Sequence, residues 1–122
     1  MATIIGWDVG GAHLKAARAQ DGHVTGVVQL PCPLWLGLDR LRTALADATA
    51  QLGAADRHAA TMTGELADVF ASRAEGVAAI TAALAAAFGA DRLAIWAGAN
   101  GFIPPSQVQA HVAAIASANW HA

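Results

Sequence analysis

An apolar run, Ile4-Ile5-Gly6-Trp7, ends on an acid at Asp8 and meets two consecutive glycines, Gly10 and Gly11, ahead of Lys15. The run has the length of one buried strand, and a strand that stops on Asp-x-Gly-Gly must turn at once. Glycine adopts φ > 0 freely and has no side chain, so the N–H groups of Gly10 and Gly11 can face an anion. Asp8 at the strand end can hold Mg²⁺, usually through water, and Lys15 can reach a phosphate oxygen as a point charge. Acid, glycine turn and lysine together suit a phosphorylated ligand bound with a metal. A plain β-hairpin with a glycine turn and a surface lysine satisfies the same spacing.

Two other phosphate loops do not fit. A dinucleotide fingerprint needs G-x-G-x-x-G opening a helix, and Gly6, Gly10 and Gly11 have the wrong spacing. A P-loop needs G-x-x-x-x-G-K followed by Ser or Thr, whereas Ala16 follows Lys15. The residues after the glycines also read as a strand, because the hairpin dipeptide Asp21-Gly22 lies close behind. A glycine turn between two strands is how the actin-like ATPases, sugar kinases among them, hold phosphates. Asp8-Val9-Gly10-Gly11-Ala12-His13-Leu14-Lys15 resembles the first phosphate loop of that superfamily.

The 122 residues suffice for one domain, 1–122, with a core but without two sizeable lobes. At 56% hydrophobic and 13% charged, the chain is not of disordered type. No apolar run has the length of a membrane span. The net charge of −2 without a basic cluster argues against nucleic acid as a partner. The N-terminus enters a strand directly and has no signal-peptide pattern. A single cysteine, Cys32, forms no internal disulfide and fits a reducing, cytoplasmic setting. Flanked by Pro31 and Pro33, it reads as a structural thiol.

Strands are expected at Ile4–Asp8, His13–Ala19 and His23–Leu30, an antiparallel meander stopped by Pro31-Cys32-Pro33. Leu34, Leu38, Leu41, Leu45 and Leu52 then share a helical face, which predicts a helix over Leu34–Leu52 ended near Gly53. A fourth strand follows at Arg57–Thr63. Ser72-Arg73-Ala74-Glu75 has the form of a capping box and opens a helix over Ser72–Phe88. A fifth strand, Leu93–Gly98, and a third helix, Ser106–Ser117, complete the order. Helical crossovers join parallel neighbours, so the later strands should run parallel to the first. The expected fold is α/β: a ribonuclease-H-like, actin-like ATPase half-domain whose mixed five-stranded sheet has the order 3-2-1-4-5, with three helices.

Longer strings carry a closer resemblance. Ile4 to Ala17, Gln29-Leu30-Pro31-Cys32-Pro33-Leu34-Trp35, Thr61-Met62-Thr63-Gly64-Glu65-Leu66 and Ala118-Asn119-Trp120-His121-Ala122 resemble one group. It comprises hydantoinase/oxoprolinase-like proteins linked to tetrahydromethanopterin-dependent C1 transfer. Archaeal relatives in that group join an aminomethylfuran unit to γ-glutamyltyramine in methanofuran synthesis, displacing pyrophosphate. The resemblance implies a transferase- or ligase-like enzyme using a phosphorylated or pyrophosphorylated substrate with Mg²⁺, and possible use of ATP. It also implies a second, similar half with a further Asp-x-Gly loop. This chain is therefore expected to be an N-terminal half, inactive alone, whose partner is a missing C-terminal half or a second copy. A sugar-kinase-like phosphotransferase and a non-catalytic nucleotide-binding or assembly module share the same loop.

Other candidates fall where open α/β folds bind ligands, at the carboxyl edge of the sheet. Thr63 and Gly64 follow the fourth strand, and Glu65 can accept a proton from an amine nucleophile, orient Mg²⁺, or simply cap the next helix. Asp68 reads as a solvated loop acid. Asn100-Gly101 follows the fifth strand and is either a turn or a ligand contact. His13 either lines the phosphate site or is a neutral strand histidine. Asp8, Lys15 and Glu65 are thus the catalytic candidates. Gly10, Gly11, His13, Thr63, Gly64 and Asn100 are the binding candidates, with Asp8 the metal ligand. The four tryptophans, at positions 7, 35, 96 and 120, read as core or contact anchors rather than base-stacking platforms.

Overall fold

A computed structural model describes residues 2–63 and 70–116. Six strands form one sheet: β1 (Thr3–Val9), β2 (His13–Gln20), β3 (His23–Pro31), β4 (Arg57–Met62), β5 (Leu93–Trp96) and β6 (Phe102–Ile103). Their spatial order is β3-β2-β1-β4-β5-β6. The first three are antiparallel, β4 and β5 run parallel to β1, and β6 folds back antiparallel on β5. The α/β class, the mixed sheet and the 3-2-1-4-5 order are thus as expected. The sheet has six strands rather than five, because Ala97–Gly101 turns the chain so that Phe102 pairs with Trp96.

The helices are α1 (Asp39–Leu52), α2 (Arg73–Phe88) and the short α3 (Val112–Ala116). The first starts five residues later than expected. Leu34–Leu36 make a single 3₁₀ turn, and Gly37 at φ 131° breaks the helical path before Asp39. The Ser72 hydroxyl accepts from the Glu75 N–H at 3.1 Å, the first half of a capping box, while the Glu75 carboxylate reaches one residue further back and accepts from the Ala71 N–H rather than from that of Ser72. The third helix is mostly 3₁₀: Pro105–His111 winds that way before α3. The expected end of that helix, Ser117, lies outside the described residues.

Strand alternation sends Ile5, Trp7 and Val9 to one face of the sheet, with Leu14, Ala16, Ala60, Met62 and Ile95 beside them. The helices cover this face, packing Leu41 and Leu45 of α1, Val77 and Ile80 of α2, and Ile115 of α3 into one core. The opposite face carries Ile4, Gly6 and Asp8 of β1, Lys15 and Ala17 of β2, and Thr61 of β4. Among the described residues no helix covers it. Val24, Val27 and Phe102 on this side are each more than half exposed. Among the described residues, no helix is long and apolar enough to cross a membrane.

Candidate functional site

The β1–β2 turn occupies Gly10–Ala12, and four backbone bonds hold it. The Gly10 N–H donates to the His13 carbonyl at 3.0 Å, closing the turn. The Cys32 and Leu34 N–H groups donate to the Ala12 and Gly11 carbonyls at 2.8 and 3.1 Å, so the segment after β3 straps the loop from one side. The Thr63 N–H donates to the Val9 carbonyl at 2.9 Å, which fixes the end of β4 beside the turn.

Two features differ from the glycine turn expected from the sequence. Neither Gly10 nor Gly11 lies in the positive-φ region. The Gly10 N–H is spent within the loop, so it is not the donor that the spacing suggested. Peptide planarity points to other donors. The N–H of Ala12 lies opposite the Gly11 carbonyl across a trans bond, and that of His13 lies opposite the Ala12 carbonyl. Both therefore turn away from the Cys32–Leu34 strap. A Cβ on Gly10 would stand 3.0 Å from the His13 oxygen, whereas one on Gly11 would meet nothing within 4 Å. Glycine at position 10 is a steric requirement of the turn, and at position 11 it leaves an open approach.

Antiparallel pairing sets Asp8 directly across from Lys15, and parallel pairing sets it beside Thr61. Lys15, Asp8 and Thr61 consequently form one row across the open face. Asp8, Lys15, Gly10, Gly11, Ala12, His13 and Thr63 line a hollow of about 250 Å³ at the carboxyl end of β1. Asp8 and Lys15 also close one end of a larger trough, about 450 Å³, that runs over Gly6, Ala17 and Ala59 to Trp96 and Phe102. The rings of Trp96 and Phe102 stand 5.0 Å apart, tilted at 58°. Small residues floor the trough, large ones wall it, and the charged pair marks where it joins the hollow.

Of the sequence candidates, Asp8, Gly10, Gly11, His13, Lys15 and Thr63 come together around the hollow. Asn100 does not line it: the side-chain amide donates to the Ala97 carbonyl at 3.3 Å, a local role in the β5–β6 turn. Gly64, Glu65 and Asp68 lie outside the described residues. Thr61 and Ala12 are lining residues that the sequence reading passed over. Thr61 shares the alternation of Arg57 and Ala59, so its face could have been assigned once β4 was placed beside β1.

The donor set also bears on the metal. Among the described residues no three His, Cys, Asp or Glu side chains gather as a ligand cluster. Asp8, the carboxylate that the described residues place at the hollow, fits a Mg²⁺ that keeps several waters and is shared with a ligand's phosphates. Elsewhere, Cys32 is fully buried and burial pushes its thiol above the ordinary value, as befits a structural thiol rather than a nucleophile. No protein-family model and no curated protein matches the chain.

Proposed function

We propose that this domain binds a small phosphorylated or pyrophosphorylated molecule, with Mg²⁺, on the turn between β1 and β2. The observation that carries the reading is the shared wall: Asp8 and Lys15 belong both to the polar hollow and to the apolar trough. A phosphate at the hollow would meet the Lys15 ammonium and the turn's outward N–H groups, while the organic body extends over Gly6 and Ala59. Asp8 would hold Mg²⁺ through water, and the metal would neutralise phosphate charge and aid loss of a pyrophosphate leaving group. Thr63 supplies a hydroxyl at the rim. In the sense of the family resemblance, the domain is the N-terminal half of a cytoplasmic transferase- or ligase-like enzyme of methanofuran-type cofactor synthesis in C1 metabolism. Its ribonuclease-H-like half-sheet would then present substrate or ATP to a second half that completes the cleft.

The test is an NMR titration of the backbone amides with pyrophosphate, then ATP, each with and without Mg²⁺. The reading expects the first and largest shifts at residues 11–13 and at Lys15. Shifts confined to the Asn100 turn, or to the segment after Thr63, would refute it.

A further inference from the structure

The open face of the sheet is ordered in rows. The row of Lys15, Asp8 and Thr61 runs on to Trp96, since Ala60 pairs with Ile95, and then to Phe102, the antiparallel partner of Trp96. The row beside it, toward the amino end of β1, consists of Val27, Ala17, Gly6 and Ala59. The trough lies over this second row, walled by Val27 and by the Trp96–Phe102 pair. Its floor belongs to β2, β1 and β4, each of which has a neighbour on both sides. The backbone N–H and C=O groups of the floor are therefore spent in the ladders, and glycine and alanine add no polar side chain. The charged and hydroxyl side chains that line the trough, Lys15, Asp8 and Thr61, stand together in the first row. Gly6 is itself unexplained by packing: a Cβ there would meet nothing within 4 Å. Glycine inside a strand weakens it, and is found where a ligand comes close to the backbone.

This lining selects what can lie on it. A sugar or nucleoside would press hydroxyl groups against glycine and alanine, out of water and without partners. An apolar body meets no such penalty, and it covers side chains that are otherwise in water: Phe102 is 57% and Val27 71% exposed. The ring pair decides the shape. Trp96 and Phe102 pack on each other, centroids 5.0 Å apart and planes 58° from parallel, so they leave no slot in which a flat ring could be clamped. They make an uneven end wall, which suits a branched aliphatic chain. Length follows from the sheet. Strands lie about 4.8 Å apart, so Trp96 is about 10 Å from Asp8, two strands away, and about 14 Å from Lys15, three strands away. An extended chain advances about 3.3–3.6 Å per three bonds, so roughly nine to twelve bonds span that distance.

We infer that the trough receives the apolar chain of a prenyl-type pyrophosphate of about geranyl length, its pyrophosphate in the hollow and its far end against Trp96 and Phe102. This ligand class rests on the phosphate reading of the hollow, not on the family resemblance. Gly6 and Ala59 leave room for the chain, and Phe102 with Trp96 sets how long it can be.

The experiment is isothermal titration of the full chain, in Mg²⁺, with inorganic, dimethylallyl, geranyl and farnesyl pyrophosphates, and with ATP. Affinity should rise along the first three, by about tenfold or more from dimethylallyl to geranyl, and by less than about threefold from geranyl to farnesyl, whose chain overruns the trough. ATP should bind at least about tenfold more weakly than geranyl pyrophosphate, because its ribose finds no partners on the floor. Ala59 faces the open side of the sheet, so Ala59→Phe should fill the trough and leave the circular dichroism spectrum unchanged. It should weaken geranyl pyrophosphate by at least about tenfold and inorganic pyrophosphate by no more than about twofold. Phe102→Gln, at an exposed side chain, should divide the two ligands in the same direction. In NMR spectra geranyl pyrophosphate should move the Trp96 indole N–H together with residues 11–13, and inorganic pyrophosphate only the latter. Pyrophosphate binding that the prenyl chain does not strengthen, or strengthening that neither substitution reduces, would overturn the inference and leave the phosphate site standing. An ATP affinity equal to that of geranyl pyrophosphate would overturn it as well. Failure of inorganic pyrophosphate itself to bind would overturn both the chain's place and the phosphate site.

Discussion

The Trp7 indole N–H donates to Nδ1 of His58 at 3.0 Å across the parallel strands β1 and β4. The bond is diagonal in the sheet, since Trp7 pairs with Ala60 and His58 with Ile5. The His58 ring also stacks on Phe88 of α2, centroids 3.9 Å apart and planes 7° from parallel. An imidazole that accepts at Nδ1 must be unprotonated there, so this contact between sheet and helix requires the neutral ring. Burial holds the His58 pKa below its ordinary 6.5, the nearby Arg92 guanidinium lowers it further, and a bond to the Ala55 backbone partly opposes them.

Stability should therefore depend on pH in a definite direction. Between the lowered folded pKa and 6.5 the unfolded chain binds the extra proton, so unfolding is favoured as pH falls through that window. The contribution is complete above 6.5 and declines as pH drops below it. Urea midpoints measured from pH 7.5 down to 5 should fall in the parent. In His58→Asn, which retains an acceptor for Trp7 but does not titrate, the decline should be shallower. An equal slope in both proteins would remove His58 as its source.

Thr81 presents a second test of core polarity. Its hydroxyl is buried in α2 and meets no hydrogen-bond partner among the described residues. Thr81→Val keeps the shape and removes the unsatisfied group, so it should stabilise the fold by about 1 kcal/mol. Thermal denaturation would register this as a higher midpoint. A lower one would mean that the hydroxyl is satisfied in solution.

The glycine turn distinguishes its two residues. In Gly10→Ala the new methyl would press on the His13 oxygen at 3.0 Å, the same atom that accepts the Gly10 N–H. Neither can move without opening the turn, and a loss of roughly 1–3 kcal/mol is expected. Gly11→Ala meets open space, so it should change stability by less than about 0.5 kcal/mol. Chemical denaturation of the two variants side by side gives the comparison. Equal effects would contradict this turn geometry.

How far the sequence reached depends on the length of each signal. The capping box at Ser72 and Glu75 is a four-residue pattern with one structural meaning, and α2 begins where it says. The meander and the crossovers specify the strand order through connection rules, which do not depend on exact boundaries. Phe102–Ile103 was missed because two residues have no periodicity to read. The leucine spacing that began a helix at Leu34 continued through Gly37, whose conformation no hydrophobic pattern records. Proline at the start of a helix signalled a beginning at Ser106 but could not distinguish 3₁₀ from α winding. At the site, hairpin register alone sets Asp8 opposite Lys15, and the strand order brings Thr63 beside them. The use of the Gly10 N–H within the turn, and the placing of Asn100 away from the hollow, depend on backbone directions that spacing does not encode.

Lys15 and Asp8 should separate in their dependence on metal. Lys15 is exposed at the rim of the hollow, and on the proposed reading it would contribute charge directly to a phosphate whether or not Mg²⁺ is present. Lys15→Ala should then weaken pyrophosphate binding with and without metal. The loss of a hydrogen bond to a charged group, about 1.5–3 kcal/mol, corresponds to roughly a tenfold or greater change. On the proposed reading Asp8 would act differently, because without Mg²⁺ its carboxylate would repel the phosphate and with Mg²⁺ it would share the ion. Asp8→Asn should leave metal-free binding unchanged or slightly stronger and abolish most of the gain that Mg²⁺ confers. Isothermal titration of parent and both variants, with Mg²⁺ and with EDTA, reads all six combinations. If Lys15→Ala matters only with metal, the lysine acts through the Asp8-bound ion instead. If neither substitution changes binding, the Asp8–Lys15 pair belongs to the hairpin alone.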